Sequence, residues 1–510
     1  MRQITNLSRI KVEIGGNPIA QSEAQALGEI HVRQRLSAPA QCELVFFDPP
    51  EGFDNAPAPQ PGTSLRVVVN DQELFSGQVT ALEYGYGPEG GRELRARAYD
   101  PLNRLRNRQP TRAHVQFTLA DLAKEIVAGA GLRVEAVSAA ERPVWKRVIQ
   151  HRQSDLDLLI EIAERCGLYF AARGSSLHIF SMEGVGQPVP LALGDSLFEA
   201  RIEINGNRAC RAVSAKGWDP WHAEARSGQA RRARSGRDVR AEAAPNRVGG
   251  SGELTLTNLA AQDDRQAEAF AQAELDLCAA REVTLWGVAE GDARLRPGAP
   301  VSVQGVAASL AGRYVLTTVN HTIDSRRGFI SEISTAPPAP RRQAEAAFAG
   351  ALSALGIVTK IDDPEKLGRV KVSLPAFGDV ETDWMEVLSA GGGEGKGLLM
   401  IPDVGDRVLA LCAGGDPAQG VVLGGLFGPK GLPEDVLDGG DVRRFTMRSP
   451  RGQVIRLDDS DRSVRLENSE GSFVELLPDK VRLHAATDLE PEAPGNTIVI
   501  RGAKVDFQTG

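Results

Sequence analysis

The sequence predicts a mainly β protein with a few helices: β-barrel domains, then a small OB-type barrel, then a terminal ladder of strands. Three observations predict it. The last seventy-odd residues repeat an apolar–polar–apolar–charged pattern, the period of a strand with one greasy face and one charged face. Upstream, short alternating runs are separated by Gly, Pro, Asn and Asp clusters, which are turn signals. Three stretches carry helical apolar stripes, two of them with cap residues at their ends.

Composition narrows the class. A chain of 510 residues exceeds what one hydrophobic core covers, so roughly three or four domains are expected. The 42% hydrophobic and 25% charged fractions are those of ordinary globular protein. A net charge of −8 with scattered arginines argues against nucleic acid as a partner, because such binders present basic surfaces. Met1 to Leu7 shows no apolar run of a secretory signal, and no stretch has the length of a membrane-spanning helix. The expectation is a protein made in the cytoplasm without a signal peptide. Cys42, Cys166, Cys210, Cys278 and Cys412 lie far apart without metal or redox spacing and read as buried reduced thiols.

Along the chain, Arg9 to Ile14 alternates and ends in Gly15-Gly16-Asn17-Pro18. Leu65 to Val69 turns through Asn70-Asp71 into Leu74-Phe75, a hairpin signal. Thr118 caps a first helix with the stripe Leu119, Leu122, Ala123, Ile126 and Val127; Ser154 caps a second with Leu158, Leu159, Ile162, Ala163 and Cys166. Residues 221–252 are rich in Ala, Arg, Gly and Ser and read as a solvated, mobile basic loop. A third helix, about 264–281, is expected to present Phe270, Ala273, Leu277 and Ala280. Ala336 to Arg342 is a Pro-rich linker signal.

The unit at about 355–428 packs five short strands with glycines at their ends, which fits a small closed barrel of the OB type. Trp384 is expected to plug one end of it. Gly391 to Gly397 lacks the Gly-Lys-Ser/Thr ending of a phosphate loop and reads as a loop between strands.

This unit carries a resemblance. Asp363-Pro364, then Gly368-Arg369, then Pro402-x-Val404-Gly405-Asp406, Gly415-Asp416-Pro417 and Gly424 resemble the OB domain of hub–spike proteins of contractile injection systems. That family includes VgrG proteins of type VI secretion, spikes of phage-tail-like particles and phage baseplate spikes. Upstream, Gly77 to Thr80, Ala98 to Leu105, Ile149 to Leu159 and Gly167 to Phe170 are similar to the phage late-control protein D family. Downstream, Arg448 to Asp459 resembles the start of an intertwined trimeric β-prism. The order of these pieces spans nearly the whole chain.

The resemblance implies a domain order: an N-terminal β-barrel hub domain at 1–110, a helix-containing hub domain at 111–215, a second hub β-barrel region with the basic loop at 216–335, a linker at 336–354, the OB domain at 355–430 and the β-prism needle at 431–510. It implies a homotrimer, with inner tube and baseplate proteins at the hub end and a PAAR-type tip protein at the C-terminal end. Effector cargo and only transient contact with a target membrane also follow from it. Asp-Pro pairs start turns, and the glycines suit crowded or positive-φ positions.

The terminal strands supply the candidate site. A one-sided sheet with no covering helix must bury its apolar face on another chain. The residues expected to line a shared axis are Ile455, Leu457, Val464, Leu466, Val474, Leu476, Val481, Leu483, Ile498, Ile500, Val505 and Phe507. Val505, Phe507, Thr509 and Gly510 are expected to meet the tip protein. No histidine lies in metal spacing, Asp458-Asp459 sits in a turn signal, and no cofactor or enzymatic activity is expected. The rival functions are a spike-borne peptidoglycan hydrolase and an OB-fold nucleic-acid binder.

Overall fold

A computed structural model describes residues 9–50, 59–87, 91–136, 138–207, 209–219, 224–339, 352–412, 420–427, 432 and 434–508. The chain divides into two compact units, Met1–Leu426 and Phe427–Gly510.

The first unit is organised around an eleven-stranded sheet. Its N-terminal part runs Leu27–Arg35, Gln41–Phe47, Arg92–Tyr99, Gln72–Tyr86, Ser64–Val69, Ile10–Ile14 and Asn17–Pro18, each strand paired with the next. Asn70 and Asp71 both take positive φ, 50° and 61°, as a two-residue hairpin between twisted strands requires. Alternate side chains such as Ile14, Val32, Leu44, Phe46, Leu65 and Val67 are buried on one face. The sheet then continues into chain far downstream. Leu27–Arg35 pairs antiparallel with Thr318–Asp324, Ile30 opposite Ile323, and Gly328–Ser334, Val283–Glu290 and Leu197–Ile204 follow. One ladder therefore joins the regions 1–110 and 216–335.

Two helices fall between these parts in the sequence. Leu119–Ala128 and Asp155–Arg165 each start in a reciprocal capping box, Thr118 with Asp121 and Ser154 with Asp157. Each box satisfies N–H groups that the first turn cannot pair. Their apolar stripes interdigitate in one core with Leu102, Trp145, Leu168 and Phe170. At the head of the second helix Asp155, fully buried, accepts from Gln150 at 2.9 Å and Arg112 at 3.1 Å, which accounts for the polar run Gln150 to Asp155.

The third helix, Asp264–Glu282, buries a different face from the expected one. Ala267, Ala271, Leu275, Asp276, Cys278 and Glu282 are buried, whereas Phe270, Ala273, Leu277 and Ala280 are half-buried. The physical reason is an ionic inner face. Arg234 contacts Asp276 at 2.7 Å, and Arg211 and Arg237 reach Glu282 at 2.9 and 3.1 Å. Arg234 and Arg237 come from the segment expected to be a solvated loop, and the buried carboxylates pin it instead, while Arg211 reaches Glu282 from just before the strand Ala212–Asp219. Paired and hydrogen-bonded carboxylates tolerate burial that lone ones do not. Trp221 and His222 of that segment, and most of the linker, lie outside the described residues.

The OB region forms a six-stranded sheet in the order Val380–Glu381, Lys371–Leu374, Leu352–Lys360, Arg407–Cys412, Gly420–Leu426 and Glu386–Val387. Val370 and Met385 exchange both backbone hydrogen bonds, at 2.8 and 2.9 Å, across the remaining gap. The barrel core is Ala354, Val358, Val370, Val372, Leu374, Met385, Val408, Ala410, Cys412 and Val422. Met385, not Trp384, fills it: Met385 is fully buried and Trp384 is half-exposed beneath Lys371, whose Nζ lies 5.3 Å from the indole centroid. Successive residues of an extended strand face opposite sides, so only one of the two enters the barrel.

Candidate functional site

The terminal unit holds a five-stranded antiparallel meander: Arg444–Arg448, Val454–Asp458, Ser463–Glu467, Phe473–Leu476 and Val481–His484. Its register aligns two apolar rows across the strands. Phe445, Leu457, Val464, Leu476 and Val481 form one; Met447, Ile455, Leu466, Val474 and Leu483 form the other. Nothing in the chain covers them among the described residues: Phe445 is 62% exposed, Leu466 48% and Leu483 63%. Ten apolar side chains in contiguous rows make a patch that monomeric soluble proteins rarely expose.

The charged groups of the opposite face pair within the chain. Arg444 holds Asp458 at 2.5 Å, Arg456 holds Glu434, and Arg465 bridges Glu467 at 2.9 Å and Glu475 at 3.0 Å. The Arg465 guanidinium lies 4.0 Å from the Phe473 centroid, a cation–π contact. Hydrogen bonds from Arg444 and Arg465 hold the Asp458 and Glu467 carboxyls below their ordinary range. Asp458 also accepts the amides of Ser460 and Asp461, so the Asp458-Asp459 pair is committed to a turn.

Eight residues expected to line an axis, Ile455 through Leu483, thus share one face. Sequence reasoning missed Phe445 and Met447, although Arg444-Phe445-Thr446-Met447-Arg448 shows the same alternation one strand earlier. The expected strands at Ile498 to Arg501 and Val505 to Gln508 are absent as strands within this chain. They have the strand pattern but no backbone partner in the same chain, and a ladder needs one. Ile498, Ile500, Val505 and Phe507 are 51%, 68%, 47% and 86% exposed. Thr509 and Gly510 lie outside the described residues, as do Gly415, Asp416 and Pro417.

In the OB barrel the remaining motif residues build two turns. Arg369 and Asp363 form a buried two-pronged pair, Nη2 to Oδ1 at 2.7 Å and Nε to Oδ2 at 3.0 Å. Asp363 also accepts the amides of Glu365 and Leu367, closing the loop that Pro364 begins. The Arg369 hydrogen bonds hold its carboxyl far below the ordinary range. Gly368 takes φ 73°, where a side chain is strained. In the second turn, after half-buried Pro402, Asp406 Oδ2 accepts the Asp403 amide at 2.8 Å, and Gly405, at φ 91°, donates to the Val358 carbonyl. Gly424 flanks a register break opposite Leu409. Among the described residues, Asp363, Arg369, Gly405 and Asp406 are engaged in turns.

No helix among the described residues is long and apolar enough to cross a membrane. Nor do they contain a group of three or more His, Cys, Asp or Glu side chains placed to hold a metal ion.

Comparisons with known proteins agree with this architecture. Residues 354–427 match the type VI secretion system/phage-baseplate injector OB domain, and residues 5–325 match the Alg8 N-terminal domain. No curated protein matches by sequence. Among solved structures, the Francisella PdpA–VgrG complex, half-lidded, superposes with a TM-score of 0.53 at 9% identity, covering 94% of this chain and 88% of that one. The E. coli c3393 protein, a component of the type VI secretion system, gives 0.50 at 14% identity over 83% and 99%. The 43 kDa tail protein of prophage MuSo2 from Shewanella oneidensis gives 0.50 at 14% over 64% and 97%. At these identities the likeness speaks to fold. With a family match spanning residues 5–325 and the injector OB domain match following it, the chain belongs to the Alg8 N-terminal domain family.

Proposed function

We propose that this chain is the structural hub and membrane-puncturing spike of a contractile injection system, working as a homotrimer and without enzymatic activity. The observation that carries the reading is the asymmetry of the terminal sheet. Its charged face is paired within the chain, whereas its two apolar rows have no cover. Three copies packed on one axis would bury those rows at roughly 25 cal/mol per Å² of apolar surface. Pairing between chains would also give the segments at Ile498 to Arg501 and Val505 to Gln508 their missing ladder partners and remove free sheet edges.

In this reading the hub end meets the inner tube and baseplate, and Val505, Phe507, Thr509 and Gly510 meet a PAAR-type tip protein. The chain is made in the cytoplasm, becomes part of a particle that carries effector cargo, and touches the target membrane only during firing. Exposed Leu398, Leu399, Met400 and Ile401 beside the OB barrel add apolar surface for the same assembly. The deciding experiment is light scattering with negative-stain imaging of the purified full chain. A threefold hub with a protruding needle is expected; a compact monomer sinks the reading.

A further inference from the structure

A cavity of about 420 Å³ lies in the first unit, where the N-terminal strands, the Tyr169–Arg173 hairpin and the loop after Val283–Glu290 converge. Its volume falls in the range of small-molecule sites. Four arginines line it: Arg35, Arg173, Arg294 and Arg296. Arg294 is neutralised by Asp292 at 2.6 Å. The other three have no carboxylate within ion-pair distance among the described residues.

The acids that line the cavity are engaged elsewhere. Glu73 pairs with Arg66 at 2.9 Å. Asp100 accepts the amides of Ala40 and Leu102 at 2.9 and 3.0 Å. Arg173 makes one long hydrogen bond, 3.3 Å to the Pro297 carbonyl, and its Nε–H is buried without a partner. Burial, followed by the charge of Arg296, pushes the Arg173 guanidinium down to about 10; burial lowers Arg296 as well. Arg173 and Arg296 are half-buried and Arg35 is exposed; like charges drawn partly out of water are costly unless an anion compensates them. A guanidinium fork matches a planar or tetrahedral oxyanion in particular.

We propose that this cavity is a binding site for a small oxyanion, phosphoryl or carboxylate, held by Arg35, Arg173 and Arg296. The site ties together three segments distant in sequence, so its ligand stiffens the hub as well as occupying it. The proposal does not depend on the spike reading.

The test is titration calorimetry of the full chain at low salt with two probes, inorganic phosphate and citrate. Saturable binding of at least one probe is expected. It should weaken at least about tenfold, or about 1.4 kcal/mol, in Arg173→Gln/Arg296→Gln, and stay unchanged in the surface control Arg326→Gln. Phosphate binding alone assigns a phosphoryl ligand, and citrate binding alone a carboxylate. Should the double variant misfold, the single Arg296→Gln carries the same comparison. Failure of both probes to bind, or equal binding in the arginine variant, overturns the site.

Discussion

The His151 imidazole meets the Phe377 ring edge-on, with centroids 5.0 Å apart and planes at 78°. His151 lies between the strand Trp145–Gln150 and the helix Asp155–Arg165, and Phe377 belongs to the OB barrel. Beside them Arg147 donates to the Glu381 carbonyl, and Thr111 approaches Gly378. An aromatic contact and a charge-assisted hydrogen bond thus brace the barrel against the preceding part of the first unit.

Loosening that brace should free the barrel without unfolding it. Arg147→Ala with Phe377→Ala is expected to raise hydrogen exchange and proteolysis at residues 375–381, while the barrel strand Leu352–Lys360 stays protected. Unchanged exchange at that joint would show that the brace carries no weight.

The Asp363–Arg369 pair should dominate barrel stability. Both side chains are nearly inaccessible, 2% and 3% exposed, and removing Asp363 leaves the buried Arg369 charge only its contact to the half-exposed Glu365 at 3.2 Å, a poorly compensated buried charge. Asp363→Ala should cost about 3–5 kcal/mol, read by denaturant unfolding of the full chain with hydrogen exchange to localise the loss.

Two carboxyls should give opposite pH responses. Asp363 is lowered in the fold, so its contribution is fully present above the unfolded value of about 3.9. It is lost as pH falls below that towards the folded value. Asp100 is raised to about 7, chiefly by burial. The fold therefore favours its protonated form, and its stabilisation declines as pH rises from about 4 to about 7. Calorimetric scans should show Asp363→Asn flattening the acid limb and Asp100→Asn flattening the neutral one.

Charge on the apolar rows should abolish assembly. Leu466→Asp and Leu483→Asp each place a carboxylate where copies would meet, at a desolvation cost of several kcal/mol. Light scattering should report monomers while circular dichroism of the hub is unchanged. A trimer surviving both substitutions would remove the basis of the assembly.

Truncation before Val505 should leave the trimer intact but abolish binding of a PAAR-type tip protein, measured by co-purification. Retained tip binding would place that contact elsewhere on the needle.

What the sequence determined by itself rests on local rules. Thr118 and Ser154 announced their helices because capping is a short-range hydrogen-bond matter. The Asn70-Asp71 turn and the period-two apolar rows from Ile455 to Leu483 were legible for the same reason: backbone geometry and side-chain alternation act within a few residues. Other features were decided only by tertiary structure. Asp276 and Glu282 turn the third helix because arginines from a distant segment meet them, and a single-chain periodicity count treats such acids as exposed. Met385 displaced Trp384 from the barrel because strand phase, not side-chain size, chose which neighbour faced inward. The two parts of the long sheet join only when Ile323 arrives opposite Ile30, and no local pattern encodes that pairing. The cavity arginines belong to the same class: their convergence is a product of three separate segments packing together.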